Sequence, residues 1–357
     1  METVREERNN LSHPSSAAAA PALGSHGPST QQISSASGAS RPGVGQVKQD
    51  LLRFGPDRPI PAMALDEAFT YCRDLANRHY ENFTVLTHLV PARIRPHFCS
   101  IYAYCRWSDD LADEMGSPER STALLEWWRG ELDACFQGRA NHPVFVALRQ
   151  TINEYGLEST PFNDLLSAFV QDQTQHRYES DSELRNYCSR SANPVGRMVL
   201  QLARTATPPC AAWSDSICTG LQIANFCQDI AVDARRGRVY WPESRLQAIG
   251  VNPHELSRPT ATEAACRGVM DWANEARKLL VAGLPLVQHG PVWLARSVQL
   301  FVRGGLGLAR EVDRLQGDVW THNVMVSRPQ KLQWIVRALL FPRSVALARI
   351  DQPRTDT

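Results

Sequence analysis

The sequence predicts an all-α protein. Apolar residues recur at spacings of three and four along nearly the whole central chain. Runs that alternate with period two are scarce. No strand–helix–strand rhythm appears.

The elements follow in order. Leu65, Phe69, Cys72 and Ala76 form the first helical stripe. Pro96 suits the first turn of a helix running through Phe98, Ile101, Tyr102 and Cys105. Ser214 or Asp215 is the expected cap of a helix carrying Ile217, Leu221, Ile223, Phe226 and Ile230. Trp272, Ala276 and Leu279 continue the pattern, as do Leu294, Val298 and Phe301. Gly304-Gly305-Leu306-Gly307 lacks the flanking strand and spacing of a dinucleotide loop, and reads as close helix packing. Residues 59–350 are expected to form one helical domain around a central cavity. Met1 to about Arg58 is rich in Ser, Ala, Gly and Pro and is expected to be a disordered tail, with a shorter polar tail over 351–357.

Composition narrows the function. Lys and Arg number 38 against 37 Asp and Glu, a net charge of +1, so bulk charge does not drive nucleic-acid binding. No apolar run is long enough to cross a bilayer as a helix. The nine cysteines are odd in number, form no C-x-x-C pair and mostly fall in apolar helical patterns. They read as reduced thiols of a cytoplasmic protein.

Two segments carry candidate chemistry. In Tyr104–Glu114, four carboxylates (Asp109, Asp110, Asp113 and Glu114) fall within six residues. On a helix they share an arc of about 140°. A run of this kind is usually a solvated face. Here, however, Phe98, Tyr102 and Cys105 project to nearly the same side as Asp109. The acidic face prolongs an apolar one, and inward carboxylates need a cation. Clustered hard oxygens without His or Cys favour Mg²⁺.

In the second segment Asn225, Asp229 and Asp233 recur at i, i+4 and i+8, with Gln222 on the same face. The helix is otherwise apolar round most of its circumference, which marks it as buried. Its polar face is equally compatible with an interhelical hydrogen-bond network and with a ligand site. Arg235, Arg236 and Arg238 follow, either complementing the helix C-terminus or capturing a phosphate. Two oxygen-rich faces with adjacent arginines suggest chemistry on a diphosphate, whose departure leaves a carbocation to be shielded by apolar and aromatic walls. Phe83, Tyr102, Phe226 and Tyr240 are the candidate aromatics, and Tyr102 is expected to face the cavity.

These segments resemble the squalene/phytoene synthase family over about residues 62–340. Asp109, Asp110, Asp113 and Glu114 match its D-D-x-x-D-E pattern. Asn225, Asp229 and Asp233 match N-x-x-x-D-x-x-x-D, with Gly237, Arg238, Tyr240 and Pro242 completing G-R-x-Y-x-P. The segments 79–83, 191–197 and 303–306, together with Gln228 where phytoene synthases usually carry Arg, resemble the bacterial hydroxysqualene synthase branch.

The resemblance implies the isoprenoid synthase fold, Mg²⁺ and a prenyl diphosphate substrate. The metal set it implies is Asp109, Asp110, Asp113, Glu114, Asn225, Asp229 and Asp233. Arg106, Gln222, Asn225, Arg235, Arg238, Tyr240, Phe83 and Phe226 are the implied substrate contacts, with Tyr102 and the aspartates as catalytic groups. The branch implies conversion of presqualene diphosphate and water to hydroxysqualene, without NADPH. The alternatives are head-to-head condensation of two prenyl diphosphates, and a non-catalytic assembly factor, against which the intact carboxylates argue. No nucleic-acid partner is expected. Peripheral contact with the inner membrane and with other enzymes of the squalene pathway accords with the resemblance.

Overall fold

The computed structural model describes residues 46–79 and 89–344. Among them the ordered elements are helical; one isolated bridge, Arg177 to Val239, is the β-type contact. In chain order the α-helices are α1 (Gln46–Phe54), α2 (Leu65–His79), α3 (Arg95–Asp113), α4 (Pro118–Phe136), α5 (Pro143–Tyr155), α6 (Thr160–Gln171) and α7 (Asp181–Ser191). Then come α8 (Asn193–Leu202), α9 (Pro208–Arg235), α10 (Glu243–Ala248), α11 (Glu263–Ala282), α12 (Val292–Arg314) and α13 (Arg328–Leu340).

Local chemistry starts these helices where sequence rules place starts. Proline occupies the first turn of α3, α4, α5, α6, α8, α9 and α13, where its missing N–H costs nothing. Ser117, Ser180 and Thr262 accept a backbone N–H at the starts of α4, α7 and α11. His142 does the same for α5 through Nδ1, 3.2 Å from Val144 N.

Helix α9 is the axis of the molecule. Every residue from Thr219 to Cys227 is buried, so the helix is covered all round, as its apolar circumference predicts. Its Ile217 and Leu221 pack in one apolar cluster with α3, α5 and α12, and its Ile223 to Ala231 pack in a second with α11. A Cβ on Gly305 of α12 would lie 2.7 Å from Leu280 and 2.9 Å from Leu221, so that glycine serves close packing of α12 on α9 and α11.

Two expectations need correction. Helix α9 starts at Pro208, not at Ser214 or Asp215. Pro208 and Pro209 fit its first turn, while Ser214 is buried and Asp215 receives the Arg197 guanidinium at 2.7 and 3.1 Å. The expected N-terminal tail also runs too far. Residues 46–54 form α1, whose Val47 and Phe54 are buried and whose Asp50 accepts the Tyr71 hydroxyl at 2.7 Å. Composition over the long Ser/Ala/Gly stretch obscured this one amphipathic turn pair. Residues 1–45 and 351–357 lie outside the described residues, as does Phe83.

Candidate active site

The two motif segments occupy the C-terminal ends of α3 and α9. On α3, Arg106 sits among the acids of its own helix. Its guanidinium is 3.3 Å from Asp109 and 3.7 Å from Glu114, and is paired closely with Asp110. Asp110 is only 1% exposed. Burial pushes its carboxyl well above the usual range, and Arg106 opposes that shift. Burial alone would lower the Arg106 pKa, but Asp109 and Asp110 hold it raised.

Helix α9 ends in a turn that aims the chain back at α3. Gly237 adopts φ +81°, a region glycine enters without strain. Arg238 then donates to Asp113 at 3.2 Å, joining the two motifs. Val239 N–H donates to the His176 carbonyl at 2.7 Å, which fixes the turn against the α6–α7 connection. Asp233 is buried and Asp229 half-buried on the α9 face. Gln222 and Asn225 are buried too. Among the described residues Gln222 Oε1 and Asn225 Nδ2 make no hydrogen bond.

Arg235 does not join this constellation: it is exposed in the last turn of α9. Phe226 is stacked on Tyr240 with ring centres 4.2 Å apart and on Trp272 at 6.1 Å, so it sits in the packed second core. Tyr102 is buried one turn before Arg106.

Sequence reasoning missed Asp172, Tyr178 and Tyr187. Asp172, 2% exposed at the end of α6, accepts the Tyr187 hydroxyl at 2.9 Å. Burial first, then the Asp172 charge, raises the pKa of Tyr187 and of Tyr240. Tyr178 and Tyr187 pack with Tyr240, at 5.8 Å in each case. None of the three belongs to a paired spacing, so the sequence pattern carried no signal for them. A buried acid flanking two tyrosines becomes visible only once the α6–α7 connection folds over α9.

An apolar cavity lies against the N-terminal halves of the motif helices. It has about 740 Å³ of empty space, including its solvent-open part. Its walls include Phe98 of α3, Val195 and Val199 of α8, Leu221 of α9, and Trp293 and Phe301 of α12. Phe98 precedes Asp109 by eleven residues and Leu221 precedes Asp229 by eight. At 1.5 Å per residue, carboxylates and cavity are separated by about 12–16 Å along each helix.

The donors fit a hard divalent cation. They are carboxylate and amide oxygens, one of them, Asp110 Oδ2, buried without a hydrogen-bond partner among the described residues. No three acids, histidines or cysteines there converge as a complete cage. Mg²⁺ does not require one, since it keeps several waters and takes one or two carboxylates plus substrate phosphate.

A family model described as squalene/phytoene synthase matches residues 76–330. A 15-cis-phytoene synthase from Synechococcus elongatus is 32% identical over 263 residues, 68% of this chain and 85% of that protein. A hydroxysqualene synthase from Zymomonas mobilis is 34% identical over 206 residues, 56% of this chain and 67% of that protein. The crystal structure of squalene synthase HpnC from Alicyclobacillus acidocaldarius superposes with a TM-score of 0.68 at 38% identity, covering 71% of this chain and 95% of that one.

Proposed function

The chain belongs to the squalene/phytoene synthase family, and on that premise we propose that it converts presqualene diphosphate and water to hydroxysqualene and diphosphate. The observation that carries this reading is the Arg238–Asp113 contact, which joins two oxygen-rich helix ends while an apolar cavity opens against the N-terminal halves of the same helices.

Asp109, Asp110, Asp113 and Glu114 of α3 and Asn225, Asp229 and Asp233 of α9 would hold magnesium, which supplies charge neutralisation for the departing diphosphate. Arg106 and Arg238 bind phosphate oxygens and exchange carboxylate partners for them. The carbon–oxygen bond breaks with its electron pair on the diphosphate. The cavity walls orient the hydrocarbon and exclude bulk water from the cation. One water must still enter. Gln222 Oε1 and Asn225 Nδ2, an acceptor and a donor one turn apart, are suited to hold it. The water adds to the rearranged cation and loses its proton to the released diphosphate, giving the alcohol.

Support for water as the terminating nucleophile comes from the 34% identity to the hydroxysqualene synthase. A second reading, condensation of two prenyl diphosphates, is favoured by the 32% identity to a phytoene synthase over more of the chain. Purified protein is incubated with presqualene diphosphate or farnesyl diphosphate, with and without Mg²⁺ and NADPH. The expected product from presqualene diphosphate is a C30 alcohol, formed without NADPH and undiverted by it. Inert presqualene diphosphate together with consumption of farnesyl diphosphate overturns the first reading in favour of the second.

A further inference from the structure

The turn that carries Arg238 is tied to the rest of the fold in two ways. Its guanidinium donates to Asp113 of α3. Its backbone is laced to residues 176–179. Val239 N–H donates to the His176 carbonyl at 2.7 Å, Glu243 N–H to the Tyr178 carbonyl at 2.9 Å and Ser244 N–H to the Glu179 carbonyl at 3.1 Å. The last two donors belong to the first turn of α10, where a helix leaves its N–H groups without partners of its own.

Such lacing is weak alone, because an isolated pair of extended segments is marginally stable at best in water. Arg245 of α10 secures it. Its Nε donates to Asp181, in the first turn of α7, at 2.5 Å, and its Nη2 is paired closely with Glu275 of α11. Arg185 of α7 donates to the other oxygen of Glu275 at 2.6 Å. One planar guanidinium thus ties α10 to two helices at fixed angles, which a point charge cannot do. Arg245 and Glu275 are 28 and 20% exposed, so solvent screens their pair only in part.

This clasp matters once the site is filled. In the reaction proposed above, Arg238 exchanges Asp113 for phosphate oxygens. The tie to α3 is then released, and the turn keeps its place through the lacing and Arg245. We propose that Arg245 is a positioning residue for diphosphate binding: clasped to Asp181 and Glu275, it holds the turn at 237–241 where Arg238 meets the phosphate. The proposal rests on the assignment of Arg238 to the diphosphate.

The test is equilibrium binding of inorganic diphosphate with Mg²⁺ to the full chain, with farnesol, a prenyl chain without phosphate, as the control ligand. Arg245→Met is expected to weaken diphosphate about tenfold, as misplacing a binding group does, and to leave farnesol unchanged. Arg245→Lys keeps the charge but reaches one carboxylate at a time, so its loss is smaller. Asp181→Asn removes one of the two carboxylates at a position 44% exposed and should give a milder loss with the fold intact. In an Arg238→Gln background the Arg245 and Asp181 variants should add nothing, because their effect passes through Arg238. If Arg245→Met does not fold, Asp181→Asn and Arg245→Lys carry the same comparisons. Equal losses for diphosphate and farnesol, or a loss that adds to that of Arg238→Gln, would mean a merely structural role and overturn the proposal. If Arg238→Gln loses diphosphate while the folded Arg245 and Asp181 variants keep it, the proposal alone falls. If Arg238→Gln binds diphosphate like the intact chain, the assignment of Arg238 falls and takes the proposal with it.

Discussion

Arg238 lies 3.2 Å from Asp113, a contact between residues 125 positions apart in the chain. This ion pair links the turn after α9 to the end of α3. Both groups are mostly buried, with side chains 21 and 16% exposed, so neither is simply replaced by solvent when its partner goes. Truncating one partner of such a pair costs roughly 2–5 kcal/mol. Arg238→Gln is therefore expected to lower kcat/KM for the prenyl diphosphate by about 30-fold or more, with a smaller loss for Arg238→Lys. Steady-state kinetics of the two variants checks this; equal kcat/KM in all three proteins would remove Arg238 from the site.

Asp110 gives the opposite sign in stability and in activity. Burial raises its pKa, so its ionised form is disfavoured in the metal-free fold. A neutral isostere relieves that cost. Asp110→Asn is expected to abolish nearly all turnover while the melting temperature of metal-free protein stays level or rises. Asp229→Asn should likewise remove turnover with the fold intact. Parallel melting curves and activity assays decide, and substantial activity in both variants would sink the two-motif assignment.

The helices and both motifs were legible because their signals are local. Spacings of three and four mark α2, α3, α11 and α12, and i, i+4, i+8 places Asn225, Asp229 and Asp233 together on α9. What was not legible depends on contacts between distant segments. Arg235 and Arg238 look equivalent in the sequence, but only the latter, beyond the Gly237 turn, points back to Asp113. Asp172 and Tyr187 are paired by the packing of α7 on α6, with no spacing that announces it. Phe226 lies in a motif, yet Tyr240 and Trp272 take up its ring.

Acid sensitivity should centre on His142. The ring is wholly buried among Trp107, Trp128 and Phe145, with Trp107 at 4.5 Å and Trp128 at 4.8 Å, and burial lowers its pKa from 6.5 to about 3. It stays neutral in the fold, while the unfolded chain protonates it below about 6.5. The unfolded state then binds more protons between about 3 and 6.5, and stability falls as pH is lowered through that window. The slope approaches about 1.4 kcal/mol per pH unit for this one group. His142→Asn keeps a capping acceptor but does not titrate. It should be less stable at neutral pH, from lost ring packing, and show a flatter decline from pH 6.5 to 5. Burial also lowers His97, so the flattening will be partial. Denaturant midpoints across pH measure it, and an unchanged acid slope would absolve His142.

Helix α1 should be a working part of the core. Trp107 donates to the Tyr71 hydroxyl at 3.0 Å, which donates on to Asp50 of α1. Val47 and Phe54 are buried beside them. A chain starting at Gly55 loses both side chains, roughly 3–6 kcal/mol at 1.5–3 kcal/mol each. A chain starting at Gln46 retains them. The shorter chain is expected to melt well below the longer one; coincident melting curves would show that α1 adds nothing.

One face of α3 runs from the apolar cavity to the carboxylates. Phe98, Tyr102 and Arg106 follow at i, i+4 and i+8, about 6 Å apart along the axis. Phe98 lines the apolar cavity and Arg106 holds the carboxylates. In the proposed reaction hydrocarbon lies at the level of Phe98 and diphosphate at that of Arg106. The carbon that loses its oxygen then falls at the level of Tyr102. An aromatic face stabilises a cation by roughly 0.5–2 kcal/mol, about one decade in rate. Tyr102→Leu should therefore slow turnover about tenfold and spread the products toward rearranged alcohols, while diphosphate is still released. Phe98→Leu should act mainly on KM, since it touches hydrocarbon rather than developing charge. Single-turnover rates and product analysis separate the two. If Tyr102→Leu leaves both rate and products unchanged, its ring does not face the cation.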